Sequence, residues 1–242
     1  MKILHTTARV LRQLGHDPRT LALVFLVPPI LLWILKYVFN NDRLFDQIAP
    51  LMLGIFPMVM MFLITSIATL RERRSGTLAR LMSTPLGKSD FILGYALAFS
   101  LVAAVQAVIA SVAMIYFLNV NIAGGTILAI LAAVISALLG TAMGLCASAF
   151  ARTEFQAIQF MPAFLFPQLL LCGLFATREQ MAPVFATISD WLPLTYSTDL
   201  MKKIANNTAW VSGATKDLLI IVGFIVAFLI LGALTIRRQE KP

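Results

Sequence analysis

The sequence predicts an all-α integral membrane protein, and three observations carry that prediction. Of its 242 residues, 60% are hydrophobic and 12% charged, against about half and a quarter in an ordinary soluble domain. The mean hydropathy of +0.88 belongs to a chain whose solvent is mostly lipid. Six stretches also satisfy the length of about 20 largely uncharged residues that a transmembrane helix needs: 20–39, 48–70, 91–118, 126–150, 155–175 and 218–236. These observations exclude a cytosolic enzyme, a disordered chain and a disulfide scaffold. The two cysteines, Cys146 and Cys172, sit in apolar runs and act as small hydrophobes. The chain reads as one domain over 1–242, with an amphipathic interfacial helix over 1–19, a six-span bundle over 20–236 and a tail over 237–242.

Residues 2–14 form the first element. At 100° per residue, Ile3, Leu4, Thr7, Ala8, Val10, Leu11 and Leu14 gather on one side, and Lys2, His5, Arg9, Arg12 and Gln13 on the other. Such a helix lies in the headgroup plane, as a lipid anchor or as an elbow that also touches a partner. The first span is no signal peptide, because its apolar run is too long and no small-residue cleavage site follows.

Orientation follows from charge. With both termini in the cytoplasm, thirteen Lys and Arg outside the spans lie on that side and five on the other, as the positive-inside rule requires. The surplus of nineteen basic over eleven acidic residues therefore marks cytoplasmic loops and anionic lipid rather than nucleic acid. Lys36, one turn from the outer end of the first span beside Tyr37, reads as a snorkelling side chain in preference to a substrate contact. No other Asp, Glu, Lys, Arg or His falls within a span. Proton-relaying transporters generally need such groups at depth, which weighs against an ion-coupled secondary transporter of small lipophilic compounds, the alternative reading. An intramembrane enzyme would need them clustered at one depth.

Leu86-Gly87-Lys88-Ser89 has the tail of a phosphate-binding loop, but the glycine that motif needs five positions before Gly87 is Met82, and no strand precedes it. It is a chance match, and the chain itself does not bind ATP.

The loop 71–85 is cytoplasmic on the charge count. Thr77 can N-cap a short helix, Leu78, Leu81 and Met82 share one face, and Pro85 stops it. A short helix with a small apolar face and a basic lead-in suits docking in a groove on another protein; physics alone allows packing on lipid equally.

The fourth span repeats small residues at Ala133, Ala137, Gly140, Gly144 and Ser148. Gly140-x-x-x-Gly144 permits close helix packing, here expected within one subunit rather than at a dimer seam. The fifth span carries Gln156, Gln159 and Gln168, with Pro162 and Pro167 each removing a backbone donor. Broken, polar helices are tolerated where they face protein or a cavity. This span is expected to face inward, with Gln156, Gln159, Phe160, Phe164 and Gln168 as candidates for a substrate path. Gln159 and Gln168 lie about 180° apart on an ideal helix and do not make one polar face. Between 176 and 217 the chain is too polar to span; Pro183, Pro193 and the Gly213 region punctuate short external helices, and Trp191, Tyr196 and Trp210 read as interfacial anchors.

The run Glu-x-x-x-Gly-Thr-Leu-x-x-Leu-x-x-x-Pro (Glu72, Gly76, Thr77, Leu78, Leu81, Pro85), placed after the second span, resembles the signature of ABC-2 type permeases, the membrane subunits of bacterial ABC exporters. A second match follows the fifth span. Gly173-Leu174-Phe175 and Trp191-Leu192-Pro193-Leu194-Thr195-Tyr196 resemble that family's external segment before the last helix. The resemblance implies a non-catalytic permease, paired with a second copy or a similar chain in the bacterial inner membrane. A separate subunit would hold ATP and Mg and dock on the short helix, now a coupling helix, through Glu72, Arg73, Arg74, Gly76, Thr77, Leu78, Leu81, Met82 and Pro85. No cofactor is implied in this chain. Ala79 departs from the family, which often has glutamate there, and that puts one ionic contact with the ATPase in doubt. The external loop 40–47 excludes the subgroup with a large domain at that point. The resemblance is therefore to small exporters of drugs, lipids or polysaccharides, and the external helices after the fifth span are candidates for a gate.

Overall fold

The computed structural model describes residues 2–74, 88–207 and 212–235. Among these, every regular element is helical: α1 (Lys2–Gly15), α2 (Pro18–Phe39), α3 (Asp42–Arg74), α4 (Lys88–Val112, continuing as a π turn Ala113–Phe117), α5 (Thr126–Phe150), α6 (Glu154–Leu171), a 3₁₀ turn Arg178–Gln180, α7 (Pro183–Ser189), α8 (Pro193–Asn206) and α9 (Ser212–Thr235). Among the described residues, five helices are long and apolar enough to cross a membrane: α2, α3, α4 with its π turn, α5 and α9. The expected fourth span coincides with α5. The expected fifth span corresponds to α6, whose 18 residues extend about 27 Å. Its glutamines and Glu154 dilute its hydropathy, and it is not among the five.

The core lies between α3 and α5. The most apolar stretch of each is 61% buried, against 17% for α2 and 11% for α9, which are peripheral. Glycine decides why these two approach so closely. A Cβ on Gly140 would run into the Met58 carbonyl oxygen, and one on Gly144 would come 2.5 Å from the Phe62 carbonyl oxygen. The i, i+4 spacing thus presents two bare patches of α5 to two successive turns of α3, as small residues at i and i+4 do in membrane packing. The motif is used within the chain. Met58, Met61, Phe62, Leu139 and Met143 fill the space around it.

α1 settles on α4. Thr6, Thr7 and Val10 are buried, Thr7 Oγ1 donates to the Gly94 carbonyl at 3.1 Å, and a Cβ on Gly94 would lie 2.6 Å from Thr6. The centre of the amphipathic stripe therefore faces protein rather than headgroups, while Leu4 at its edge stays 67% exposed. Asp17 caps α2 by accepting from Thr20 N at 3.2 Å and from the Thr20 hydroxyl at 2.6 Å. Those two bonds hold its carboxyl below the ordinary value.

Lys36 does more than snorkel. Its Nζ donates to the Leu118 carbonyl at 2.7 Å and lies 5.8 Å from the centroid of the Phe45 ring. It thereby ties the end of α2 to the residue that closes the π turn of α4. Such a carbonyl at a helix end lacks an intrahelical partner, and a cation there also complements the helix dipole.

The segment after α6 is knitted by polar contacts. Arg178 pairs with Asp190 at 3.2 Å and Asp199 at 2.9 Å, and stacks over the Tyr196 ring at 5.8 Å. Burial pushes the Asp199 carboxyl up from its ordinary value, against the pull of Arg178. Lys203 of α8 pairs with the buried Asp217 of α9. The turn before α5 is stitched to the end of α8, Gly124 N donating to the Ile204 carbonyl at 2.9 Å. Trp191 is exposed and Tyr196 donates its hydroxyl to the Asp190 carbonyl at 2.7 Å; Trp210 lies outside the described residues.

Candidate functional site

The last turn of α3 reads Arg71-Glu72-Arg73-Arg74. Successive helical residues point about 100° apart, so neighbouring side chains reach different elements, and here three of them do. Glu72 receives Arg9 Nη1 of α1 at 2.6 Å and Gln13 Nε2 at 3.4 Å. The same guanidinium donates to the Tyr95 hydroxyl of α4 at 2.9 Å and lies 5.9 Å from the centroid of its ring. The Glu72 side chain is only 5% exposed, so this charge is compensated by the chain's own residues. Burial works against the Arg9 charge, but the hydrogen bond to Glu72 and the field of Tyr95 outweigh it and raise its pKa.

Arg73 turns the other way and donates to the Ser148 carbonyl in the last turn of α5. There it satisfies a terminal helix acceptor with a cation, the favourable sign for the C-terminal end of the dipole. Arg71 forms a fork-to-fork pair with Glu154 at the start of α6, Nε to Oε1 and Nη2 to Oε2, both at 2.9 Å. Two parallel charge-assisted bonds fix orientation as well as distance. Arg74 is exposed.

The residues expected to meet an ATP-binding partner therefore divide. Glu72 and Arg73 are engaged inside the chain, Arg74 is open, and Gly76, Thr77, Leu78, Leu81, Met82 and Pro85 lie outside the described residues. The candidates on α6 also separate. Gln156 accepts from Arg152 N at 2.8 Å, and its own N–H goes to the Thr153 cap at 3.1 Å. Gln168 is buried, donating to the Phe164 carbonyl at 3.0 Å and accepting from Leu194 N at 3.2 Å. Gln159 and Phe164 lie on the outer surface of the single chain, with Phe160 edge-on to Phe164 at 6.0 Å between ring centroids. The three glutamines do not converge on one cavity.

Sequence reasoning missed Arg9, Gln13, Tyr95, Arg71 and Glu154 as partners at this junction. The polar face of α1 was legible, but nothing in linear spacing pairs residue 9 with residue 72, or 71 with 154. The available signals were Glu154 directly after Thr153, a residue type that caps helix starts, and the arginine-rich run 71–74.

A helical membrane bundle with a charged junction at the end of its second long helix, leading into the Gly-Thr-Leu segment, defines a transporter membrane domain. The chain belongs to the ABC-2 type transporter family, whose profile matches residues 1–205. It is similar to ABC transporter G family member 20 of Dictyostelium discoideum, 26% identical over 208 residues, covering 83% of this chain and 28% of that protein. It is also similar to the probable multidrug ABC transporter permease YbhR of Escherichia coli K12, 30% identical over 158 residues, 65% of this chain and 43% of that one. The chain thus spans less than half the length of these relatives.

Proposed function

We propose that this chain is the permease subunit of an ATP-driven exporter, non-catalytic itself, with ATP and Mg bound and hydrolysed on a separate subunit. It would span a bacterial inner membrane six times, α6 being the fifth crossing, with both termini and the segment 71–90 in the cytoplasm. A second permease copy or similar chain would complete the path. The substrate class is amphipathic or lipophilic: a drug, a lipid or a lipid-linked glycan. The observation that carries this reading is the junction at the end of α3. A charged cluster joins α1, α4, α5 and α6 immediately before the segment that would dock the ATPase, so a push on that segment has a mechanical route into the bundle. Phe160, Phe164, Gln156 and Gln159 would line the path along α6, and Gln168, buried and bonded to α8, would hold the far end of the helix rather than face the path.

Changing Leu78 and Leu81 together to Asp tests the reading. Truncating a buried interface anchor costs about 2 kcal/mol or more, and a charge in its pocket costs further. The variant is expected to insert normally and to lose co-purification of the ATP-binding subunit expressed with it. Transport at the parent rate by this variant, or by the purified chain alone, would restore the ion-coupled alternative. Orientation is tested separately. Single cysteines at Ser75 and Ser212 are expected to differ in labelling by an impermeant thiol reagent added to whole cells, only the second reacting; equal labelling sinks the topology.

A further inference from the structure

α6 is held at both ends by side chains from different parts of the fold. At its start the Glu154 carboxylate is forked by Arg71, while Arg73, two residues on, grips the Ser148 carbonyl on the other side of the α5–α6 corner. At its far end three successive carbonyls are each taken by a side chain. Ser189 of α7 donates to Leu171 O at 2.8 Å, Thr198 of α8 to Cys172 O at 2.8 Å, and Lys202 of α8 to Gly173 O at 3.2 Å. Gln168 reaches across from α6 to accept the Leu194 N–H in the first turn of α8, a donor that the helix leaves without an internal partner. Between these ends α6 packs chiefly on α3, and its opposite face is open. Gly173 at φ +83 is the turn by which the chain leaves it.

We propose that α6 is a relay rod, with Arg71 and Gln168 as its positioning residues: Arg71 sets the near end to follow the last turn of α3, and Gln168 makes the α7–α8 hairpin follow the far end. The proposal rests on the permease reading above and names how that site communicates. Two features favour a relay over a structural brace. The Arg71 and Glu154 side chains are 61% and 42% exposed, and an ion pair this open adds little to stability. Its bidentate geometry nevertheless fixes direction. At the far end, α7 packs chiefly on α6 and the 3₁₀ turn before it, and α8, which also packs on α3, α5 and α9, meets α6 and the residues just after it through Gln168, Thr198 and Lys202, so the hairpin registers a shift of α6 at these points.

A relay is established by showing that one end's state biases the other. A cysteine at Val184, an exposed position in α7, reports the hairpin, and the native Cys146 and Cys172 are buried and label slowly. In the complete complex with its ATP-binding subunit, reconstituted in vesicles, the labelling rate of Val184→Cys is expected to change on adding a non-hydrolysable ATP analogue, on the order of five-fold or more. Arg71→Gln is expected to lose most of that change while expression, assembly and co-purification stay at parent level. The exchange Arg71→Glu with Glu154→Arg is expected to restore it, which a loss of general stability would not explain. Gln168→Leu is expected to abolish the response with the Arg71–Glu154 pair intact, and adding Arg71→Gln to it should remove nothing further. A full nucleotide response in Arg71→Gln, or none in the parent complex, overturns the relay. Failure of the permease reading would show differently, as absence of co-purification with the parent chain.

Discussion

Gly140→Ala is expected to destabilise the bundle by about 1–3 kcal/mol, the usual cost of forcing a methyl into a filled interior, and Gly140→Leu to prevent recovery of folded protein. The added carbon meets the backbone carbonyl of Met58. A backbone atom of a helix cannot rotate away as a side chain would, so α3 and α5 must separate and loosen the packing of Met58, Phe62 and Leu139. Gly144→Ala is expected to cost less, because its nearest obstacle is 2.5 Å away. Gly223 is the internal control. It also lies in a membrane helix, but a Cβ there meets nothing within 4 Å, and Gly223→Ala should be neutral or slightly stabilising through the better helix propensity of alanine. Thermal unfolding of the three variants in detergent measures the ranking. Equal midpoints for Gly140→Ala and Gly223→Ala would remove the α3–α5 contact from the account of stability.

Arg9→Ala is expected to cost about 2–4 kcal/mol, because removing one side of a buried ion pair takes the guanidinium at 2.6 Å away from a carboxylate that stays buried. The lower part of that range reflects an Arg9 side chain that is 34% exposed. Glu72 would keep Gln13 at 3.4 Å but lose the guanidinium at 2.6 Å, and the Tyr95 hydroxyl would lose the same donor. Arg9→Lys should recover part of the loss, since a lysine supplies the charge but not the fork that serves Glu72 and Tyr95 together. The double variant Arg9→Ala with Glu72→Gln should be more stable than Arg9→Ala alone, because it removes a buried charge that has lost its guanidinium. Thermal unfolding of this set, read as a double-mutant cycle, decides the matter. Additive effects would mean that the pair contributes nothing beyond its separate residues.

Periodicity and composition carried further for some elements than for others. α5 begins and ends where its apolar run does, and the close packing of Gly140 and Gly144 was legible from their spacing. α6 was legible as the polar, proline-broken helix, but its glutamines were not legible as separate devices. Gln156 completes a helix start and Gln168 caps a neighbouring helix, because an amide's role is set by the backbone groups that come within hydrogen-bond reach of it. The stripe of α1 predicted an amphipathic helix and left open what covers it. An apolar stripe can be covered by lipid or by protein, and here the close approach at Gly94, with Thr7 and Arg9 bonded to α4, draws that helix onto α4.

What the sequence by itself determined is the solvent of this protein, the helical class and its family. Each is written in local quantities: twenty-residue apolar runs, helical repeats, and a short motif at a fixed distance from a span. What only the tertiary structure decided is the destination of the charges at the end of α3. From the chain alone, Glu72 reads as a contact for a partner subunit, and Arg73 as a contact for a partner subunit or for lipid phosphates. Folding brings Arg9, Ser148 and Glu154 to that turn from as far as 83 residues along the chain. The physical reason is that a charge at the membrane boundary is satisfied by whichever opposite charge or terminal carbonyl the packing places beside it. That neighbour is chosen by helix positions, which Gly94, Gly140 and Gly144 set through close backbone approach.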